Sequence, residues 1–110
     1  MEFTKVAEKN ELLPNTMKMV VVGGKEVLIS NVGGEFFAIA NKCTHLGGSL
    51  AKGSLEGGIV TCPRHHAQFD AKTGQAVAEA KLGFIKMKVK DEPSYEVKVE
   101  GDSILVGMNE

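Results

Sequence analysis

The sequence predicts an all-β, antiparallel fold, and three observations carry that reading. Glycine doublets separate short apolar segments before residue 41, residues 85–90 and 95–100 each alternate between apolar and charged side chains, and Gly101-Asp102 divides the last apolar segment from the one before it. Glycine doublets supply the positive φ that tight hairpin turns require. Strict alternation leaves a strand one dry face and one wet face.

Taken in order, the N-terminal residues 1–10 scatter charges where an export signal needs a continuous apolar stretch. Residues 8–13 have the makings of a helical turn, but Pro14 and Asn15 stop it, and the segment reads as a loop. Apolar segments at 16–22, 26–32 and 35–40, divided by Gly23-Gly24 and Gly33-Gly34, read as an antiparallel meander. Toward the C-terminus, Ile85, Met87 and Val89 alternate with lysines, and Tyr95, Val97 and Val99 alternate with Glu96, Lys98 and Glu100. Pairing Val89 with Tyr95, Met87 with Val97 and Ile85 with Val99 keeps both apolar faces together, which puts a turn at Lys90 to Ser94. Gly101-Asp102 then leads into a last strand, Ser103 to Gly107, with Ile104 and Val106 opposite Leu105.

The expected organisation is one domain over 1–110. Residues 1–40 and 81–110 form a base, and an insertion at about 41–80 holds Gly47, Gly48, Gly53, Gly57 and Gly58. Glycines concentrate where a backbone bends sharply or approaches another group closely. Thirteen basic against fourteen acidic residues leave a net charge of -1, no footprint for nucleic acid or an anionic membrane. No apolar run nears the roughly 20 residues that span a bilayer, so the expectation is a soluble, cytoplasmic protein without a membrane partner.

The chemistry concentrates in two loops of the insertion, Cys43-Thr44-His45 and Cys62-Pro63-Arg64-His65, with sixteen residues between His45 and Cys62. Each loop offers a thiolate and an imidazole. Two sulfur and two nitrogen donors suit zinc or an iron–sulfur cluster, since both accept mixed tetrahedral fields. A disulfide between the two cysteines is the bland alternative, and it fits poorly with a reducing compartment and a histidine at ligand spacing from each cysteine.

The wider pattern, Cys43-Thr44-His45-Leu46-Gly47 followed by Cys62-Pro63-Arg64-His65-His66-Ala67-Gln68-Phe69-Asp70, resembles the Rieske iron–sulfur family over about residues 41–74. The resemblance implies a β-sandwich base with a small cluster-binding subdomain, and one [2Fe–2S] cluster per chain. It assigns Cys43 and Cys62 to one iron and His45 and His65 to the other. With no cysteines beyond these two, the chain resembles the ferredoxin-like branch rather than high-potential members, which bridge their loops with a further pair. The implied role is one-electron carriage in an oxidoreductase system, not substrate chemistry. A reductase would be the donor and an oxygenase the acceptor, since 110 residues leave no room for an oxygenase's own iron domain. The small subunit of a nitrite reductase or other reductase is the alternative within the same chemistry. A structural zinc domain is the alternative outside it, and the flanking Leu-Gly-Gly and Phe-Asp have no zinc rationale.

Around the ligands, the resemblance makes Leu46 a cover for the cluster, Pro63 a stiffener of the second loop, and Phe69 a core residue. Ala67 and Phe69 stand where high-potential members carry serine and tyrosine. Asp70 is expected to cap the turn at Lys72-Thr73-Gly74, and Lys42 and Arg64 read as solvated charges or partner contacts. Two departures stand out. His66 replaces the family's usual glycine, which points to a positive φ that histidine tolerates better than most residues, on the surface. Residues 75–80 contain no proline where many relatives have a proline-bearing third loop, so the cover there is expected to differ.

Overall fold

Among the described residues, two-residue turns join β-hairpins at both ends of the chain and in its middle. The computed structural model describes residues 2–108 except 45–47, 65, 79, 83, 84 and 88. Strand β1 (Glu2–Glu8) leads through a single 3-10 turn (Lys9–Glu11) to β2 (Met17–Val22), β3 (Lys25–Val32) and β4 (Glu35–Ala40). A second 3-10 turn (Leu50–Lys52) precedes four three-residue strands, β5 (Ser54–Glu56), β6 (Ile59–Thr61), β7 (Gln68–Asp70) and β8 (Ala76–Ala78). Then come β9 (Ala80–Leu82), β10 (Ile85–Met87), β11 (Ser94–Glu100) and β12 (Ser103–Met108). The all-β expectation holds, and every strand pair is antiparallel.

The expected glycine turns are present. Val22 pairs with Lys25 across Gly23-Gly24, and Val32 with Glu35 across Gly33-Gly34. All four glycines have φ between 57° and 95°, as a primed hairpin turn requires. Glu100 pairs with Ser103 across Gly101-Asp102, and Ile104 and Val106 are buried as the alternation predicts. Gly57-Gly58 makes a further such hairpin between β5 and β6, so these two insertion glycines serve a turn rather than a close approach or a flexible loop.

A six-stranded sheet runs β1-β12-β11-β4-β3-β2, and its edge strands β1 and β2 touch, so the sheet curls on itself. Its inner face encloses Ala7, Leu12, Val22, Val27, Ile29, Ala38, Ile104 and Val106. The outer face of β3 and β4 is also covered. Leu28 and Ile39 alternate with those inner residues and pack with Cys43, Leu50, Val60, Cys62, Ala67, Phe69 and Ala71. Burial on both faces explains why Val27 to Asn31 is one continuous buried run. The second cluster is the floor on which the four-stranded sheet β5-β6-β7-β8 sits.

Two expectations fail. Residues 8–13 are not all loop, since Lys9–Glu11 forms a 3-10 turn, with the Glu8 N–H donating to Glu11 Oε1 at 2.7 Å. The proposed pairing of 85–89 with 95–99 is absent. Strand β10 pairs with β9, Ile85 opposite Leu82, while β11 has β12 on one edge and β4 on the other. The physical reason is that a strand has two hydrogen-bonding edges: β12, joined by the Gly101-Asp102 turn, takes one edge of β11, and β4 takes the other at Ser94 and Tyr95. Lys90 to Pro93 is therefore a crossing segment that leads into β11 at Ser94, instead of part of a hairpin turn.

Candidate metal centre

The first cysteine loop grows from a buried polar stem at the end of β4. Asn41 is fully enclosed, yet its side chain is satisfied: Nδ2 donates to Glu26 Oε1 and Ser49 Oγ, both at 3.0 Å, and Oδ1 accepts from the Ala51 N–H at 2.9 Å. Its backbone N–H donates to the Glu26 carbonyl, and its carbonyl accepts from Leu50 N–H. Above this stem Lys42 bridges to Ser49, and the Cys43 N–H donates to the Gly48 carbonyl at 2.6 Å.

The second loop joins β6 to β7 and repeats the same closure. The Cys62 N–H donates to the Ala67 carbonyl at 2.8 Å, and the His66 N–H returns to the Cys62 carbonyl at 3.2 Å. Each cysteine thus opens a loop closed by a bond to the carbonyl five residues on. Both are almost fully buried in the apolar cluster with Val60 and Phe69, and no disulfide joins them.

Glycines set how closely the two loops meet. A Cβ on Gly48 would lie 3.2 Å from Cys62 Sγ and 3.1 Å from Arg64 Cδ. A Cβ on Gly53 would lie 1.8 Å from the Thr61 carbonyl oxygen and 3.2 Å from Pro63 Cδ. The neck of the first loop therefore rests on Cys62 itself. We expect Gly53→Ala to destabilise the fold by about 3 kcal/mol, since rigid backbone must give way to admit a methyl group; a urea midpoint no lower than wild type would refute this.

His45, Leu46 and His65 lie outside the described residues. Pro63 and Arg64 are exposed at the second loop, Lys42 is exposed on the first, Phe69 is buried as expected, and Ala67 is buried beside it. Asp70 caps its turn: Oδ1 accepts from Lys72 N–H at 2.8 Å and the carbonyl from Gly74 N–H at 2.7 Å. His66 is exposed with φ 63°, the left-handed conformation inferred from its glycine-like position. In place of a proline-bearing loop, Ala76–Ala78 forms edge strand β8, with Val77 exposed.

Sequence reasoning missed Glu92, which lay hidden inside the supposed hairpin turn. It is 3 % exposed, and its Oε2 accepts from the Thr44 N–H, between Cys43 and His45, at 2.8 Å. Burial pushes its carboxyl up to about 7, with the Thr44 N–H acting weakly the other way. The folded pKa exceeds the ordinary 4.5, so the folded state binds more protons than the unfolded chain between those values. This group's contribution is complete below about 4.5 and is lost as pH rises through about 7. At most about 3 kcal/mol is at stake, at about 1.36 kcal/mol per pKa unit. Chemical unfolding at pH 5 and pH 8 should show this decline in the wild type and a flatter response in Glu92→Gln; equal slopes would refute it.

Comparison with known proteins agrees with this geometry. A ferredoxin component of biphenyl 2,3-dioxygenase from Rhodococcus jostii is 35% identical over 108 residues, 98% of this chain and 94% of that protein. The solved ferredoxin of carbazole 1,9a-dioxygenase from Nocardioides aromaticivorans superposes with a TM-score of 0.86 at 30% identity, covering 99% of this chain and 100% of that one. A ferredoxin solved in complex with the oxygenase of carbazole 1,9a-dioxygenase superposes at 0.80 with 28% identity, over 94% of this chain and 91% of that chain. The profile of the Rieske [2Fe-2S] domain matches residues 2–87, and with the paired loops and these relatives it establishes that this chain belongs to the Rieske [2Fe–2S] family.

Proposed function

We propose that this protein is the ferredoxin component of a multicomponent oxygenase, taking single electrons from a reductase and passing them to the oxygenase. The observation that carries the reading is end-to-end similarity to proteins of that role, 98% of this chain against 94% of the biphenyl dioxygenase ferredoxin. Membership of the family implies one [2Fe–2S] cluster per chain.

The residues of this chain fit such a group. Cys43 and Cys62 bring sulfur donors to adjoining loop necks in an apolar setting, and Gly48 puts no side chain of its own against Cys62 Sγ. We assign Cys43, His45, Cys62 and His65 as the ligands. When bound, the cluster supplies reversible one-electron chemistry. The chain's part is to bury the cysteine side chains, exclude water with Leu50, Val60 and Phe69, and fix both loops by their neck hydrogen bonds. Residues 1–40 and 81–110 act as the base and about 41–80 as the cluster-bearing part of one domain. Among the described residues no helix is long and apolar enough to cross a membrane, in keeping with a carrier that diffuses between partners.

The test is reconstitution. The purified protein should be red-brown, with two irons and two acid-labile sulfides per chain, and should support oxygenase turnover when supplied with a reductase. A colourless protein with stoichiometric zinc, even after incubation with iron and sulfide, would overturn the reading.

A further inference from the structure

The segment Lys90 to Pro93 makes one contact after another with otherwise separate parts of the molecule. The Lys90 carbonyl accepts from Thr44 Oγ1 at 2.6 Å, and Asp91 Oδ1 accepts from the Ala76 N–H of β8 at 2.8 Å. The Glu92 N–H donates to the Gly74 carbonyl at 2.7 Å, and the Pro93 carbonyl accepts from the Ala40 N–H at the end of β4. Four consecutive residues thus join the first cysteine loop, the third-loop strand, the Asp70–Gly74 turn and the six-stranded sheet. Its seat on the turn is close. A Cβ on Gly74, whose φ is 80°, would stand 2.1 Å from the Glu92 carbonyl oxygen.

We propose that Lys90–Pro93 is a strap that positions the cluster-binding loop, and that Glu92 is its positioning residue, holding the Cys43–Thr44 peptide through the Thr44 N–H. The inference rests on reading Cys43 and His45 as ligands. That N–H belongs to the peptide plane immediately after Cys43, so fixing it fixes ψ of Cys43. The peptide before Cys43 is already tied to the Gly48 carbonyl. Cys43 is consequently held on both sides, and Thr44 Oγ1 adds a second tie to the strap. A buried carboxyl is a costly acceptor, so its place against a loop N–H calls for a reason. Perturbed buried acids of this kind cluster at functional sites.

The experiment compares holoprotein of the wild type, Glu92→Gln and Glu92→Ala, measuring iron and sulfide content, the half-life of visible absorbance in excess chelator, and the EPR g-values of the reduced protein. Glu92→Ala is expected to shorten the half-life at least tenfold and to shift or broaden the g-values while far-UV circular dichroism stays unchanged. Glu92→Gln keeps an oxygen acceptor and should restore wild-type g-values and a half-life within about threefold, because acceptor geometry, not charge, does the positioning. Wild-type half-life and g-values in Glu92→Ala would overturn the proposal, and so would equal defects in Ala and Gln. If Glu92→Ala fails to accumulate, Thr44→Val decides, since it removes only the Oγ1 tie. A clear loss of half-life supports the strap, and an unchanged one overturns it. Wild-type protein that takes up no cluster would instead refute the ligand assignment.

Discussion

Replacing Cys43, His45, Cys62 or His65 by alanine should abolish normal cluster assembly and leave the protein nearly colourless, whereas replacing His66 should leave the visible spectrum almost unchanged. A ligand must be replaced by another donor for the cluster to assemble, and a neighbour need not be. His66 competes with His65 on chemistry alone, since both are imidazoles on the same loop. Backbone geometry separates them. His66 is exposed in the left-handed region at φ 63°, the conformation for which the family's glycine is suited, so its identity answers a backbone demand. His66→Gly should therefore keep the spectrum and stabilise the fold by about 1 kcal/mol. His66→Ala should keep the spectrum and gain nothing, because alanine shares the strain. Absorption spectra and iron content of the six variants measure this directly. Loss of cluster in the His66 variants with retention in His65→Ala would move the ligand by one residue.

Local chemistry in the sequence was enough wherever structure is decided locally. Gly23-Gly24 and Gly33-Gly34 mark hairpins because two residues at positive φ have few other uses, Gly101-Asp102 turns with positive φ at Gly101 alone, and the matching strands follow. Asp70 capping its own turn and the backbone state of His66 are equally local matters. What escaped depends on partners far along the chain. Alternation in 85–89 and 95–99 specifies one wet face per strand but not which strand lies alongside, and β4, from far earlier in the chain, takes the edge of β11 that its hairpin partner β12 leaves open. Strand β1 was hidden for a related reason. As a sheet edge paired only with β12, it carries exposed charges that break any apolar run. Glu92 had no signal at all, because an acidic residue before a proline looks like solvated turn until the fold places Thr44 against it.

The reduction potential should fall toward the low end of the Rieske range, below zero within about -150 to +300 mV. Ala67 and Phe69 carry the argument. Both lie in the cluster of buried residues that contains Cys43 and Cys62, and both occupy positions where high-potential Rieske proteins carry serine and tyrosine. A hydroxyl donating to a sulfur favours the reduced state, because reduction adds negative charge to the acceptor. Hydrogen bonds to charged groups contribute about 1.5–3 kcal/mol, and roughly 59 mV corresponds to 1.4 kcal/mol for one electron. Each missing hydroxyl therefore lowers the potential by up to roughly 65–130 mV. The Glu92 carboxylate works in the same direction once ionised, since it adds negative charge behind Thr44. Ala67→Ser and Phe69→Tyr should each raise the potential. Phe69 is fully buried, so a hydroxyl there must either find an acceptor or cost about 1–3 kcal/mol of stability as an unsatisfied group. The two outcomes are separable: a raised potential with stability retained means the hydroxyl reaches a sulfur, and a fall in stability at unchanged potential means it does not. Protein-film voltammetry near pH 7 supplies the measurement, and a wild-type midpoint well above +100 mV would show that backbone donors or burial, not these two side chains, control the cluster.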